Sequence, residues 1–193
     1  MIGKRILVVA GHPSSESFGC ALAEAYLVEA EKNGHEVRMI RLDRLYFDPI
    51  LHEGYRVVQA LEPDLQSAQA DMLWAEHLVF VYPVWWGSIP ALMKGFLDRT
   101  LLPGFAFKYV PGKLFPQQLL KGRSAQLLVT MDTPPWYFRW AYGAPAIRQM
   151  KKTTLEFCGL RPVGTLAVGP VLNSSPERRE VWLEKARLLA ARV

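Results

Sequence analysis

The chain has 193 residues, half of them hydrophobic, 21 % charged, with two cysteines and a formal net charge of +5. That is enough chain and enough apolar surface for one domain with a real core, and nothing in it reads as a linker, repeat or low-complexity tract. Basic residues are scattered rather than gathered into a stripe, which argues against a nucleic-acid reader. No apolar run is long enough to cross a bilayer.

Ile6 to Ala10 reads as the first strand. The start from Met1 to Arg5 imitates a signal peptide, but the apolar stretch is too short and runs into Gly11-His12-Pro13-Ser14-Ser15. From Ser17 onward Phe18, Ala21, Leu22, Ala25 and Tyr26 recur at helical spacing, and Gly34 supplies a left-handed stop. Val37 to Leu42 alternates as an edge strand would. A turn-rich segment through Tyr46, Asp48-Pro49 and His52 leads to a helix around Leu65 to Ala75.

Leu78 to Tyr82 is a continuous apolar run, the pattern of a buried parallel strand. It is followed by Pro83-Val84-Trp85-Trp86-Gly87-Ser88-Ile89-Pro90, with Ser88 as a candidate helix cap and Pro90 in the first turn. Ala91 to Leu101 makes a third helix and Ala125 to Thr130 a fourth strand. The loop after it, Thr130 to Tyr137, is stiffened by Pro134-Pro135, with Phe138, Trp140 and Tyr142 following closely. A helix then runs from about Pro145 to Phe157 with Gly159 as its stop, a short strand covers Thr165 to Val168, and Ser175-Pro176-Glu177 opens the last helix.

Strands alternating with helices give an α/β fold, a doubly wound five-stranded parallel sheet with helices on both faces. The commonest strand order for such a sheet is 2-1-3-4-5, and ligands bind at the carboxyl ends beside the switch point. Three loops meet there: Gly11 to Phe18, Pro83 to Pro90, and Thr130 to Tyr137. The first offers His12, serine hydroxyls and a helix N-terminus, the chemistry of phosphate binding, although neither a P-loop nor a G-x-G-x-x-G fingerprint is present.

The second loop places Trp85 and Trp86 where their rings can flank a planar ligand, with the N–H groups of Trp86 and Gly87 toward its polar edge. A tryptophan pair also serves core packing or a partner interface. The aromatic run Trp136, Tyr137, Phe138, Trp140, Tyr142 suits a substrate platform, a lid or a subunit interface alike. Histidines 12, 35, 52 and 77 lie in different elements without metal-ligand spacing, and no G-x-S-x-G elbow exists. Cys20 and Cys158 lack C-x-x-C spacing and read as reduced thiols of a cytoplasmic protein. Chemistry carried by a bound cofactor remains.

Taken together, Gly11-His12 with Ser17-Phe18, the run Tyr82 to Ala91 continuing through Lys94-Gly95-Phe96-Leu97-Asp98-Arg99, Pro103-Gly104-Phe105-Ala106-Phe107, and Phe157-Cys158-Gly159 resemble the flavodoxin-like NAD(P)H:quinone oxidoreductases. The resemblance covers nearly the whole chain. It implies a flavin that takes a hydride from NAD(P)H and passes it to a quinone, azo or nitro acceptor, donor and acceptor using one flavin face in turn. By motif match His12, Ser17, Phe18 and Gly19 hold the phosphate and ribityl side. Pro83, Val84, Trp85, Trp86 and Gly87 border the isoalloxazine, and Thr130, Met131, Asp132 and Thr133 complete its other edge.

The resemblance also implies a homodimer with the flavin near the subunit boundary. Tyr137 is the match to a family tyrosine beside the flavin and is the expected catalytic residue; no histidine follows it here, so the resemblance leaves proton handling to Tyr137, water or the substrate. The absence of a long C-terminal extension favours FMN, with FAD as the alternative. A different reading of the same resemblance is a flavin-binding regulatory subunit of a potassium efflux transporter.

Overall fold

A computed structural model describes residues 3–193. Its main sheet is built from β1 (Arg5–Ala10), β2 (Glu36–Arg41), β3 (His77–Pro83), β6 (Ser124–Thr130) and β7 (Val163–Val168). They lie in the order β2-β1-β3-β6-β7, all neighbours parallel. This is the expected 2-1-3-4-5 order. An additional two-stranded antiparallel hairpin, β4 (Phe107–Lys108) and β5 (Gln117–Gln118), was not legible as strand because each strand is only two residues long.

The continuous apolar runs of β1 and β3 follow from burial on both faces. Leu7, Val9, Leu78, Phe80 and Tyr82 point into one core, together with α2 (Pro63–Trp74) and α3 (Ala91–Thr100). Ile6, Val8, Ala10, Val79 and Val81 point into the other, against α1 (Phe18–Lys32) and α7 (Pro176–Ala190). Alternation across the pleat assigns each residue its face. Strand β2, at the edge, keeps only Ile40 buried, as its mixed pattern predicts.

Three elements depart from expectation. Trp86 and Gly87 form a two-residue reverse turn with φ of 51° and 75°, closed by hydrogen bonds of 3.0 and 2.9 Å between Trp85 and Ser88. The chain therefore stays extended through Pro90, which becomes the residue before α3, and Ser88 does not cap the helix; its hydroxyl lies 3.1 Å from Gln149 Oε1. Residues 135–140 form a short helix, α4 (Pro135–Trp140), with Pro135 in its first turn and Phe138 buried beneath it. A proline is well placed at a helix start, so the Pro-Pro pair that reads as a stiff loop opens a helix once Phe138 finds a core.

The helix beginning at Pro145 is not uniform. It runs through α5 (Pro145–Arg148), a π-helical stretch Gln149–Leu155, and α6 (Glu156–Cys158), stopping at Gly159 with φ 105°. Such wide turns tend to occur beside functional sites, and this one presents Gln149 to the Trp85–Ser88 turn.

A long connection from Leu45 to Glu62 is strapped across α3. The Arg99 guanidinium, fully buried, donates to the carbonyl oxygens of Asp48 and Ala60 and pairs with Glu62 at 3.0 Å. Gly95 allows the close approach: a Cβ there would lie 2.6 Å from the Pro49 carbonyl oxygen.

Candidate functional site

Hydrogen bonds that prolong the sheet past its strand ends aim the three loops. The Gly11 N–H donates to Val81 O at 2.7 Å, the Val84 N–H to Thr130 O at 2.8 Å, and the Met131 N–H to Val168 O at 3.1 Å. Because Pro83 pairs with Thr130 in register, the second and third loops leave the sheet side by side.

They enclose two adjoining cavities. The first, about 380 Å³, is bounded by His12, Ser17, Phe18, Gly19, Pro83, Val84, Trp85, Thr130, Met131 and Asp132. The second, about 550 Å³, is bounded by Val84, Trp86, Gly87, Met131, Asp132 and Thr133, with Phe138, Tyr142 and Pro145. Val84, Met131 and Asp132 form the shared wall. Every residue expected to bind cofactor thus lines one cavity or the other. Tyr137 lines neither: its ring stands edge-on to Tyr142, 5.3 Å between centroids, and Tyr142 faces the space instead.

The first cavity is polar, with Ser14, Glu16, Asp132 and the start of α1 in its wall. Ser17 caps α1 by accepting from the Cys20 N–H at 3.2 Å, so its hydroxyl serves the helix start. The N–H groups of Phe18 and Gly19, at the first turn, have no partner among the described residues, and the helix dipole adds positive potential there. His12 Nδ1 accepts the Ser14 N–H at 2.9 Å, which leaves Nε2 as the ring's donor. The ring also meets Trp85 edge to face at 5.5 Å.

Arg179 was missed. It comes from α7, and its Nε is held 2.9 Å from Ser174 Oγ while its guanidinium lies over Phe18 at 5.7 Å. The doublet Arg178-Arg179 was visible in sequence, but only the packing of α7 against α1 brings Arg179 to the cavity. Val171 and Leu172 were missed for the same reason, arriving from the connection after β7. That connection is pinned by Asp132, whose carboxylate accepts the Leu172 N–H at 2.7 Å.

The second cavity has a different character: flat aromatic and aliphatic walls with few charges. The N–H groups of Trp86 and Gly87 have no partner among the described residues. A polar end at the start of α1 is thus joined to a flatter end walled by Trp86, Phe138, Tyr142 and Pro145.

A family model described as flavodoxin-like fold matches residues 4–191. An uncharacterized NAD(P)H oxidoreductase of Haemophilus influenzae is 36 % identical over 185 residues, covering 93 % of this chain and 91 % of the relative. The chain belongs to the flavodoxin-like NAD(P)H:quinone oxidoreductase family. Mouse ribosyldihydronicotinamide dehydrogenase [quinone] is a more distant member, 29 % identical over 208 residues, with 95 % of this chain and 89 % of the relative covered. The fold extends to an FMN-dependent NADH-azoreductase from Bacillus anthracis solved with FMN: TM-score 0.75, 18 % identity, 98 % of each chain covered.

Within this family fold the site sits where doubly wound sheets bind ligands, at the carboxyl ends of β1 and β3. No helix among the described residues is long and apolar enough to cross a membrane.

Proposed function

We propose that this protein is a flavin-dependent NAD(P)H oxidoreductase, an enzyme that moves a hydride from a reduced nicotinamide to a quinone, azo or nitro acceptor. The observation carrying this is the joined pair of cavities, polar at the α1 end, where Arg179 and the helix start share the wall with Glu16 and Asp132, and flatter at the Trp86–Gly87 end, lined by all thirteen residues expected to hold a flavin. When bound, the flavin supplies the hydride-accepting and hydride-donating centre.

The chain's own residues hold and orient it. Arg179, the Phe18 and Gly19 N–H groups and His12 Nε2–H converge on the phosphate end, where charge-assisted bonds are strongest. The unpartnered N–H groups of Trp86 and Gly87 would hold the polar rim of the ring, and Val84 and Met131, in the wall shared by the two cavities, would hold its face. Tyr142, with Tyr137 braced against its edge, stands over the second cavity; we assign the phenol of Tyr142 the proton exchange at the acceptor. FMN is the flavin that this reading favours, supported by the FMN-bound azoreductase of the same fold.

The same reading takes the protein to be a cytoplasmic homodimer. Tyr55 and Val58 on the strap, and Tyr109, Leu114 and Phe115 on the hairpin side, are exposed and apolar enough to join two copies. Cys20 and Cys158 are buried and unpaired, as suits a reducing compartment.

An absorbance spectrum of the purified protein tests the central claim. Flavin bands that bleach on adding NADH or NADPH and return on adding a soluble quinone are the expected result. Protein that stays colourless after incubation with FMN and with FAD refutes it. Light scattering in solution measures the dimer.

A further inference from the structure

The outward surface of α4 is unusual for a helix in contact with water. Phe138 points inward, and the opposite side consists of Trp136, Tyr137, Arg139 and Trp140, all exposed; Trp136 is 66 % and Trp140 82 % accessible. Trp136, Arg139 and Trp140 share one side by their i, i+3 and i+4 spacing. Solvated helices ordinarily carry carboxylates and amides there, and this one carries none.

Charge continues the pattern. From residue 133 to residue 155 the chain holds Arg139, Arg148, Lys151 and Lys152 and no Asp or Glu. Lys152 pairs with Glu156 at 2.9 Å, while Arg139, Arg148 and Lys151 form no salt bridge among the described residues. Arg148 reaches back toward Gly143, next to Tyr142 at the rim of the second cavity. Tryptophan and tyrosine beside unpaired arginine and lysine are the side chains that settle at the headgroup level of a bilayer.

We propose that the α4 face docks on an anionic lipid surface. A second copy of this chain is the poorer occupant: a two-fold contact pressing this face on itself would join two surfaces that each carry Arg139 and no carboxylate, a like-charge arrangement that disfavours pairing. An anionic leaflet offers the complementary charge, and the amphipathic rings enter the headgroup layer with their polar atoms still hydrated. Phe138, on the inward side of α4, and Tyr142, just after it, line the second cavity, so the docked helix is also a wall of that cavity.

Vesicle flotation of the purified full chain tests this directly and does not depend on the flavin chemistry. The chain should float with phosphatidylcholine vesicles containing phosphatidylglycerol, float weakly with phosphatidylcholine alone, and be released by raised salt. Arg139→Gln should lower partitioning about fivefold, and Trp136→Ser with Trp140→Ser should lower it further. Turnover on a water-soluble quinone should be unchanged in each. Lys151→Gln provides a second charge variant should the tryptophan pair be poorly folded. Absence of flotation with the anionic vesicles at low salt overturns the proposal, as does flotation that these variants leave unaltered. Variants that lower the mass of the protein in lipid-free solution overturn it in favour of a contact between copies.

Discussion

Asp132 and Leu172, forty positions apart, are joined by a 2.7 Å hydrogen bond from the Leu172 N–H to the Asp132 carboxylate. It ties the loop after β6 to the connection before α7, and so sets the cavity wall that carries Asp132 against the segment that delivers Arg179.

Asp132→Ala should therefore loosen two walls at once. Leu172 is exposed, so water replaces part of the lost bond, and the cost is about 1 kcal/mol, equivalent to about a fivefold loss of flavin affinity. Asp132→Asn retains an acceptor oxygen and should stay near the parent. Fluorescence titration with FMN separates the two; equal loss in both variants would mean that the charge matters and the tie does not.

Arg179 tests the anion end. Arg179→Met should weaken FMN binding by about ten- to a hundredfold, the range for a charge-assisted bond. Riboflavin, which has no phosphate, should bind both proteins alike. A parallel loss for riboflavin would place Arg179 in the fold rather than at the phosphate.

Trp86 is fully exposed and sits at φ 51°, a left-handed conformation that disfavours a bulky side chain. Core packing cannot explain it. Trp86→Gly should raise stability by roughly 1 kcal/mol, by relieving the backbone, while weakening flavin retention about two- to tenfold through loss of the ring. Thermal unfolding of the apoprotein and FMN titration give the two numbers, and their opposite signs are the signature of strain kept for binding.

The strap over α3 depends on Arg99 and Gly95. Arg99→Met leaves Glu62 without its partner and strands two carbonyl oxygens, at a cost of about 3 kcal/mol. Gly95→Ala forces Pro49 away and should cost about 1–3 kcal/mol. Denaturant unfolding measures both, and Glu62→Gln in the Arg99→Met background should recover part of the loss.

His77, at the end of the sheet away from the cavities, bonds through Nδ1 to Ser124 Oγ at 2.7 Å and has no partner for Nε2. Burial holds its imidazole down to about 4, from an ordinary 6.5. Between those values the unfolded chain takes up the proton and the folded chain does not, so stability falls as pH drops from about 6.5 toward 4. The full effect is about 3 kcal/mol. Chemical denaturation across that range should show the slope, and His77→Phe should flatten it.

The sequence by itself determined the fold class, the strand order and the three loops that open beside the switch point. Apolar runs too continuous for a one-sided sheet demanded helices on both faces, and in such a sheet the loops after β1, β3 and β6 must open at one edge. His12, Ser17, Trp85 and Thr130 could be gathered into one site on that ground alone. What lay outside the reach of local pattern was anything made by contact between distant segments. Arg179 joins the cavity only because α7 packs on α1, and Tyr142 rather than Tyr137 faces it because Phe138 is drawn into the core. The turn at Trp86–Gly87 displaces the start of α3, since closing Trp85 onto Ser88 keeps the chain extended to Pro90. Periodicity reports which side of an element is apolar; which neighbour covers that side, and which polar groups are carried in with it, is decided by packing in three dimensions.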